Sequence, residues 1–370
     1  MRVVISGGGT AGHVYPGLAL AAALQEIREN AEILYVGTAT GLESTLVPQA
    51  GYAFRAIEAR GLPRKPSFKA VVTFLSAGRG TIEATGLLRR FKPDVVVGMG
   101  AYVSLPVVGA AVLRKIPTVI HEQNAVPGLV NRVLGRAATV VAVSYPDMGS
   151  YFPPGKRIEF TGNPIRGEIL SSGRQEAMEA FNLDESRRVL LVFGGSRGAQ
   201  RINDAIVEAY DAWRHYENLQ IIHATGKMNY ESIKKAITKI RSPKDVLLYN
   251  AYPYIESMGL AYAGADLLIC RSGATTIAEI TARGLPAILI PYPYATDNHQ
   301  EKNARQLENS GAARVILDRD VTGESIYEAV NALTVDDNVL SGMTEASKRF
   351  GRPDAAKGLA KLVIEIAEDR

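Results

Sequence analysis

The sequence predicts an α/β protein of two tandem, doubly wound parallel-sheet (Rossmann-like) domains facing a cleft. Three observations carry this. Short Val/Ile-rich runs alternate with helical patterns along the chain, which suits parallel sheets covered on both faces. A strand, glycine-rich loop, helix unit opens the sequence and recurs roughly 190 residues later. At 370 residues the chain is too long for one ordinary core.

The elements follow in order. RVVIS (2–6) reads as a buried strand. A glycine-rich loop leads to the helix PGLALAAALQEI (16–27), with Pro16 acceptable in its first turn. EILYVG (32–37), PDVVVGMG (93–100), PTVIHEQ (117–123) and ATVVAVS (138–144) are further strands. The pattern restarts with RRVLLVFGGSRGAQRIND (187–204), followed by LQIIHATG (219–226), DVLLYNAY (245–252), ADLLICRSG (265–273) and PAILIPYP (286–293). The turn formers of TGNPIRG (161–167) mark the change of domain. The first domain is expected over 1–163 with an amphipathic C-terminal helix at about 350–370, and the second over 164–349. Ligands of such sheets bind beyond the carboxyl ends of the strands.

Composition narrows the function classes. The single cysteine, Cys270, excludes an internal disulfide and suits a reducing, cytoplasmic setting. The N-terminus enters a strand directly, leaving no room for a signal peptide, and no apolar run is long enough to span a membrane. The net charge of +4 is unevenly spread: residues 1–160 hold 17 Lys/Arg against 10 Asp/Glu. The excess is densest over 55–100, with nine bases and three acids. This suits an anionic partner, or a basic face that is simply solvated.

SGGGTAGHVYPG (6–17) contains Gly7-x-Gly9-x-x-Gly12, the spacing of a dinucleotide loop. That reading also wants an acid about 20 residues on, at the end of the second strand, to hold a ribose. Gly37-Thr38 stands there, and the nearest acid, Glu43, belongs to the next segment. There is no Gly-Lys-Ser/Thr, which counts against a P-loop NTPase. An anion site at a helix start survives both objections. The positive helix end disfavours a charged imidazole, so His13 either accepts a proton as a neutral base or only caps its helix.

The second half offers three comparable junctions. FGGSRGAQ (193–200) lets the backbone approach a diphosphate, with Ser196 adding a hydroxyl, or is a plain tight turn. CRSGATTIAEI (270–280) places small residues and hydroxyls at a helix start, with Glu279 one turn in. That acid either complements the helix end or accepts two hydrogen bonds from a ribose diol. PYPYATDNHQEKNA (291–304) is a polar loop whose amides and Asp297 suit sugar hydroxyls or ordinary solvent.

GGGTAGHVYPGLALA, HEQNAVPGLVNR, GNPIR, FGGSRGAQRIN, CRSGATTIAE and PYPYATDNHQEKNA occur in this order across nearly the whole chain. Together they resemble the bacterial peptidoglycan glycosyltransferases of family 28. HEQN and CRSGA together make the resemblance specific. It implies a GT-B architecture and an inverting transfer of N-acetylglucosamine from UDP-N-acetylglucosamine to the 4-hydroxyl of undecaprenyl-pyrophosphoryl-N-acetylmuramyl-pentapeptide (lipid I to lipid II). It implies a peripheral protein on the cytoplasmic face of the cell membrane, with no cofactor and no catalytic metal.

The resemblance also assigns roles. Thr10, Ala11 and Gly12 match a loop used around the donor sugar and acceptor diphosphate; some members have glycine where Ala11 stands. His13 matches a functionally important histidine. Asn124 matches a donor-sugar contact, Arg166 a residue near the donor, Ser196 a diphosphate contact and Ile255 a nucleobase contact. Ala274, Thr275 and Thr276 match the loop gripping the donor, Glu279 the ribose-binding acid, and Gln300 a reader of sugar hydroxyls. His299 stands where some members have a second glutamine.

Such a displacement needs a base for the attacking hydroxyl and stabilisation of charge on the departing diphosphate. His13 is the first candidate for the base and Glu122 the second. The helix start at Gly195–Ser196, assisted by Arg166, is the candidate for the charge. The one Asp-x-Asp match, Asp318-Arg319-Asp320, lies away from these loops and suits an exposed strand end rather than a metal site. RKPSFKAVVTFLSAGRG (64–80) interleaves Lys65, Lys69 and Arg79 with Val71, Val72, Phe74 and Leu75, and VLRKIP (112–117) is similar. Such stretches suit an anionic membrane surface, or a helix whose apolar members face the sheet. Sparse aromatics among these bases argue against nucleic acid. A glycolipid synthase, a UDP-sugar 2-epimerase and a non-catalytic UDP-sugar binding protein share the architecture and remain alternatives.

Overall fold

The computed structural model describes residues 1–59, 68–195 and 198–369, with the backbone alone over 68–78. The chain divides into two compact units, Met1–Arg166 with Arg352–Arg370, and Gly167–Gly351.

The first unit contains β1 (Arg2–Ser6), β2 (Glu32–Gly37), β3 (Ala53–Ala56), β4 (Val95–Gly98), β5 (Thr118–Glu122), β6 (Val140–Val143) and β7 (Ile158–Phe160). They form one sheet in the order β3-β2-β1-β4-β5-β6-β7, with every pair parallel. Val3, Ile5, Val97 and Val119 are fully buried, as the continuous apolar runs require of strands covered on both faces. On one face they meet Leu20 and Leu24 of the helix Ala11–Ile27 and Leu359 and Val363 of the C-terminal helix Ala355–Glu368. Burying each such side chain contributes roughly 1.5–3 kcal/mol. Lys357–Glu26 at 2.7 Å and Arg157–Glu365 at 2.8 Å add exposed ion pairs at the edges of that helix, which orient more than they stabilise.

The second unit contains β8 (Arg188–Phe193), β9 (Leu219–Ala224), β10 (Leu248–Tyr252), β11 (Leu267–Cys270), β12 (Ala287–Leu289) and β13 (Ala313–Val315). Their order is β10-β9-β8-β11-β12-β13, again all parallel. Trp213, Tyr210 and Ile206 of the helix Gln200–Trp213 pack against Ile221, Leu247 and Ile269.

Two local differences from the sequence reading have plain causes. The first helix starts at Ala11, so Pro16 lies in its second turn. Pro16 has no N–H to donate to the Gly12 carbonyl, and the helix tolerates one missing bond so near its start. β3, β7 and β13 carry no continuous apolar run because they are partly exposed sheet-edge strands.

Candidate active site

In each sheet the strand order reverses once, between β1 and β4 and between β8 and β11. Open parallel sheets bind ligands outside the carboxyl ends of the strands at such reversals. The loops leaving those four strands are 7–10, 99–103, 194–199 and 271–273. They include the glycine-rich segments that the sequence singled out.

In the first unit Thr10 caps the helix Ala11–Ile27 with extended backbone and without a side-chain hydrogen bond. Ala11, Gly12 and His13 therefore form its first turn. His13 is half-buried, and its Nδ1 lies 3.2 Å from Oε1 of Gln123, directly after β5. Gly100, at φ +92°, passes against the same imidazole: a Cβ there would lie 3.1 Å from Cε1 and 3.2 Å from Nδ1. Only glycine suits both that backbone and that approach. Arg166 reaches the same helix, its guanidinium carbon 4.3 Å from the centroid of the Tyr15 ring.

Glu122 is buried, and its carboxylate accepts four hydrogen bonds. Oε1 accepts from the backbone N–H of Asn124 at 2.9 Å and from its Nδ2 at 3.1 Å. Oε2 accepts from Gly128 N at 3.0 Å and from Asn131 Nδ2 at 2.8 Å. Both oxygens thus hold the loop 123–128 in shape, an arrangement that suits a positioning carboxylate rather than a proton acceptor. The same contacts fix Asn124, which remains half-exposed.

Glu43 holds the first loop from inside. Thr38 donates to its Oε1 through its amide at 2.9 Å and its hydroxyl at 2.8 Å, and Gly9 N donates to Oε2 at 2.9 Å. A Cβ on Gly8 would lie 2.1 Å from that carboxylate. An internal anion thus sits against the glycine turn where a dinucleotide would place its pyrophosphate, a second reason against nicotinamide binding.

In the second unit Ser196 lies outside the described residues. The helix Gln200–Trp213 is anchored to the end of β9: Asn203 donates to the Thr225 carbonyl at 2.9 Å and meets His223 Nε2 at 3.0 Å. Burial pushes His223 down to about 3, which leaves it a neutral member of this network.

Ala274, Thr275 and Thr276 start the helix Ala274–Ala282, and Glu279 lies buried one turn further on. Tyr262 donates to Glu279 Oε2 at 3.1 Å from the helix Met258–Gly264. Ile255 is 6% exposed on the segment leading into that helix, so this path connects the β10 side of the sheet to Glu279. Gln300 joins two loops: its Oε1 accepts from Tyr292 N at 2.9 Å, and its carbonyl accepts from Ser272 Oγ at 2.8 Å. Arg271 closes the arrangement by donating to the carbonyls of Ile290 and Pro291, each at 3.1 Å.

Arg271 also pairs with Asp318 at 2.6 Å, and Arg201 approaches the other Asp318 oxygen at 3.6 Å. The first acid of the Asp-x-Asp match is therefore an arginine partner. No group of three metal-ligating side chains occurs among the described residues.

The sequence reading named the helix-start residues but gave no supporting role to Gln123, Asn131, Gly100, Glu43 and Arg271. Gln123 and Asn131 stood in quoted motifs, and Gly100 ended a quoted strand. Nothing local marks a residue as the support of a loop 110 positions away, as Gln123 is for His13.

Comparison with known proteins gives the family. The glycosyltransferase family 28 N-terminal domain matches residues 3–143, and the family 28 C-terminal domain matches 189–359. A Halothermothrix orenii protein named UDP-N-acetylglucosamine--N-acetylmuramyl-(pentapeptide) pyrophosphoryl-undecaprenol N-acetylglucosamine transferase is 47% identical over the full length of both chains. The crystal structure of Acinetobacter baumannii MurG matches 98% of this chain and 99% of its own with a TM-score of 0.78 at 29% identity. A Neisseria meningitidis UDP-GlcNAc 2-epimerase shares the fold, with a TM-score of 0.70 at 13% identity. With both halves matched and identity sustained from end to end, the chain belongs to glycosyltransferase family 28 and has the two-sheet GT-B architecture of that family.

Proposed function

We propose that the chain is an inverting hexosyltransferase that moves N-acetylglucosamine from UDP-N-acetylglucosamine to the muramyl 4-hydroxyl of lipid I, forming lipid II for peptidoglycan. The observation that carries this reading is full-length identity of 47% to a transferase of that name. The 2-epimerase alternative rests on fold alone, at 13% identity.

The reaction is a single displacement. The muramyl 4-oxygen attacks the anomeric carbon of N-acetylglucosamine from the face opposite the diphosphate. The bond from that carbon to the diphosphate oxygen breaks, and UDP leaves with its electron pair. His13 takes the hydroxyl proton and passes it to solvent after product release. Glu122 holds Asn124 for the donor sugar, a positioning role that its four hydrogen bonds support. Thr10, Ala11 and Gly12 serve the acceptor diphosphate and donor sugar, and Glu43 takes the Gly9 amide. The helix start before Gln200, with Ser196 and with Arg166 assisting, takes the charge that develops on UDP.

On the donor side Glu279 accepts from the ribose diol and Ile255 borders the uracil. Ala274, Thr275 and Thr276 line the diphosphate, and Gln300 reads sugar hydroxyls through its Nε2 amide. The reaction as written uses no metal and no organic cofactor.

The lipid acceptor requires contact with an anionic membrane surface at the cytoplasmic face. Leu113 is 79% and Ile82 74% exposed, on helices that pack together, and Arg114 and Lys115 follow Leu113 directly. Arg79 is also exposed. An exposed apolar residue flanked by bases suits insertion among anionic headgroups. Of the other proposed contacts, Lys65 lies outside the described residues, and Lys69, Val71, Val72, Phe74 and Leu75 lie on the stretch described by its backbone alone. Among the described residues no helix is long and apolar enough to cross a membrane.

The test is transfer of radiolabelled N-acetylglucosamine from its UDP sugar to purified lipid I. Labelled lipid II with stoichiometric UDP is the expected result. UDP release without lipid I, free N-acetylmannosamine, or tight donor binding with no turnover would each replace the reading.

A further inference from the structure

His13 is joined through Gln123 to two buried groups deeper in the first unit. At the far end the Gly162 carbonyl lies 3.0 Å from His121 Nε2. A carbonyl only accepts, so His121 carries its proton on Nε2. Burial pushes His121 down to about 4, against the opposing pull of the Gly162 carbonyl and with a smaller push from His13. A neutral ring with a proton on Nε2 has a bare Nδ1. That Nδ1 lies 3.1 Å from Gln123 Nε2, which also lies 2.8 Å from the Met99 carbonyl.

These contacts fix which way the Gln123 amide points. Its NH2 has two hydrogens and faces the Met99 carbonyl and His121 Nδ1, with the His121 carbonyl a third and more distant acceptor at 3.4 Å. The reverse orientation would bring the amide oxygen against the Met99 carbonyl and a bare imidazole nitrogen, leaving three acceptors together without a proton. Hydrogen-bond networks settle amide orientation and histidine tautomers by this reasoning. The Gln123 oxygen therefore faces His13 Nδ1, at 3.2 Å. An amide oxygen only accepts, so the proton of neutral His13 sits on Nδ1 and its Nε2 is the basic nitrogen.

We infer that Gln123, oriented by His121 and the Gly162 carbonyl, is a positioning residue that locks His13 in its Nδ1–H tautomer and so presents Nε2 as the proton acceptor. The catalytic consequence rests on the proposed role of His13 as base; the tautomer itself does not. The arrangement parallels the third member of a hydrolase triad, which also fixes a histidine tautomer through Nδ1–H. It differs in charge, because the acceptor is a neutral amide. When His13 takes the substrate proton on Nε2, its Nδ1–H bond to Gln123 is retained. No proton then needs to travel inward along the chain of contacts, because His121 stays neutral.

Gly162 anchors the far end. A Cβ there would lie 2.7 Å from Cβ of Arg352 and 3.1 Å from Cβ of Ala355, where the chain returns to the first unit. The last link of the network is thus held by the C-terminal return.

The direct test is nitrogen-15 and carbon-13 NMR of the ring of His13 in the full chain at neutral pH, assigned through the His13→Gln variant. The expected spectrum is that of a single Nδ1–H tautomer. In Gln123→Met, which keeps the side-chain length and removes the amide, the His13 signals should move towards the average of both tautomers. With lipid I as acceptor, kcat of this variant should fall on the order of 10²-fold while KM for UDP-N-acetylglucosamine changes little. A wild-type His13 in the Nε2–H form overturns the inference even if no Gln123 variant folds. An unchanged tautomer in Gln123→Met overturns it as well. If the tautomer shifts as expected while His13→Gln retains full turnover, the tautomer lock stands and the base assignment fails.

Discussion

Glu43 lies against the first glycine turn, accepting the Gly9 amide at 2.9 Å while its other oxygen takes both donors of Thr38. One carboxylate thus ties together the loops that leave two neighbouring parallel strands. The tie positions the start of the helix that carries His13.

Glu43→Ala should therefore lower stability by ~1–3 kcal/mol, since three hydrogen bonds to a buried carboxylate are lost. It should lower turnover through displacement of the loop. Calorimetry with and without UDP checks this: the melting temperature should drop in both cases. An unchanged melting temperature would deny Glu43 its structural role.

His13 and Glu122 are separated by what each already binds. His13→Ala should cost on the order of 10²–10⁴-fold in kcat, the range for loss of a general base, with UDP affinity little altered. Glu122→Gln must turn an NH2 towards some of its four donors, so it should lose stability and turnover together. Its remaining activity should keep the acidic limb of the wild-type pH profile. If that limb disappears in Glu122→Gln and survives in His13→Gln, the two roles are reversed.

Glu279 is buried with the Tyr262 hydroxyl on one oxygen. If it accepts from ribose, Glu279→Ala should weaken UDP binding by roughly 10–100-fold, the value of one hydrogen-bonding charge. Titration calorimetry with UDP measures this directly. Tyr262→Phe should have a smaller effect in the same direction. Equal affinity for UDP in Glu279→Ala and wild type would remove the ribose role.

Two buried histidines make stability depend on pH. His121 in the first unit and His223 in the second are pushed down to about 4 and about 3 by burial, from an ordinary 6.5. Below pH 6.5 the unfolded chain binds protons that the folded chain does not, so stability falls with acidification. Each histidine contributes up to ~1.4 kcal/mol per pH unit through that window. The His121 contribution levels off near pH 4 and that of His223 near pH 3. Denaturant titrations from pH 7.5 to 5 should show the loss, and His223→Gln should flatten it in the second unit. A pH-independent midpoint over that range would mean that these rings are not buried as neutral groups.

The parallel-sheet class was legible because buried parallel strands need uninterrupted Val/Ile/Leu runs. EILYVG and RRVLLVF show this, as the strands Glu32–Gly37 and Arg188–Phe193. Edge strands such as Ala313–Val315 were not legible, because one side of the ladder meets solvent and the apolar requirement lapses. Pro16 was placed a turn too early because propensity alone does not say where the first helical hydrogen bond forms.

Chain order and residue chemistry already specified three strand–glycine–helix units, a histidine beside the first and an acid in the third. Those features are local: they depend on periodicity, on backbone freedom and on the chemistry of side chains a few positions apart. Folding alone decided which partners these groups received. Gln123 meets His13, Glu43 meets Gly9, and Asp318 pairs with Arg271, because strand order brings distant loops to the same end of a sheet. A buried polar group must find its partner wherever the fold places one, and sequence spacing does not encode that distance.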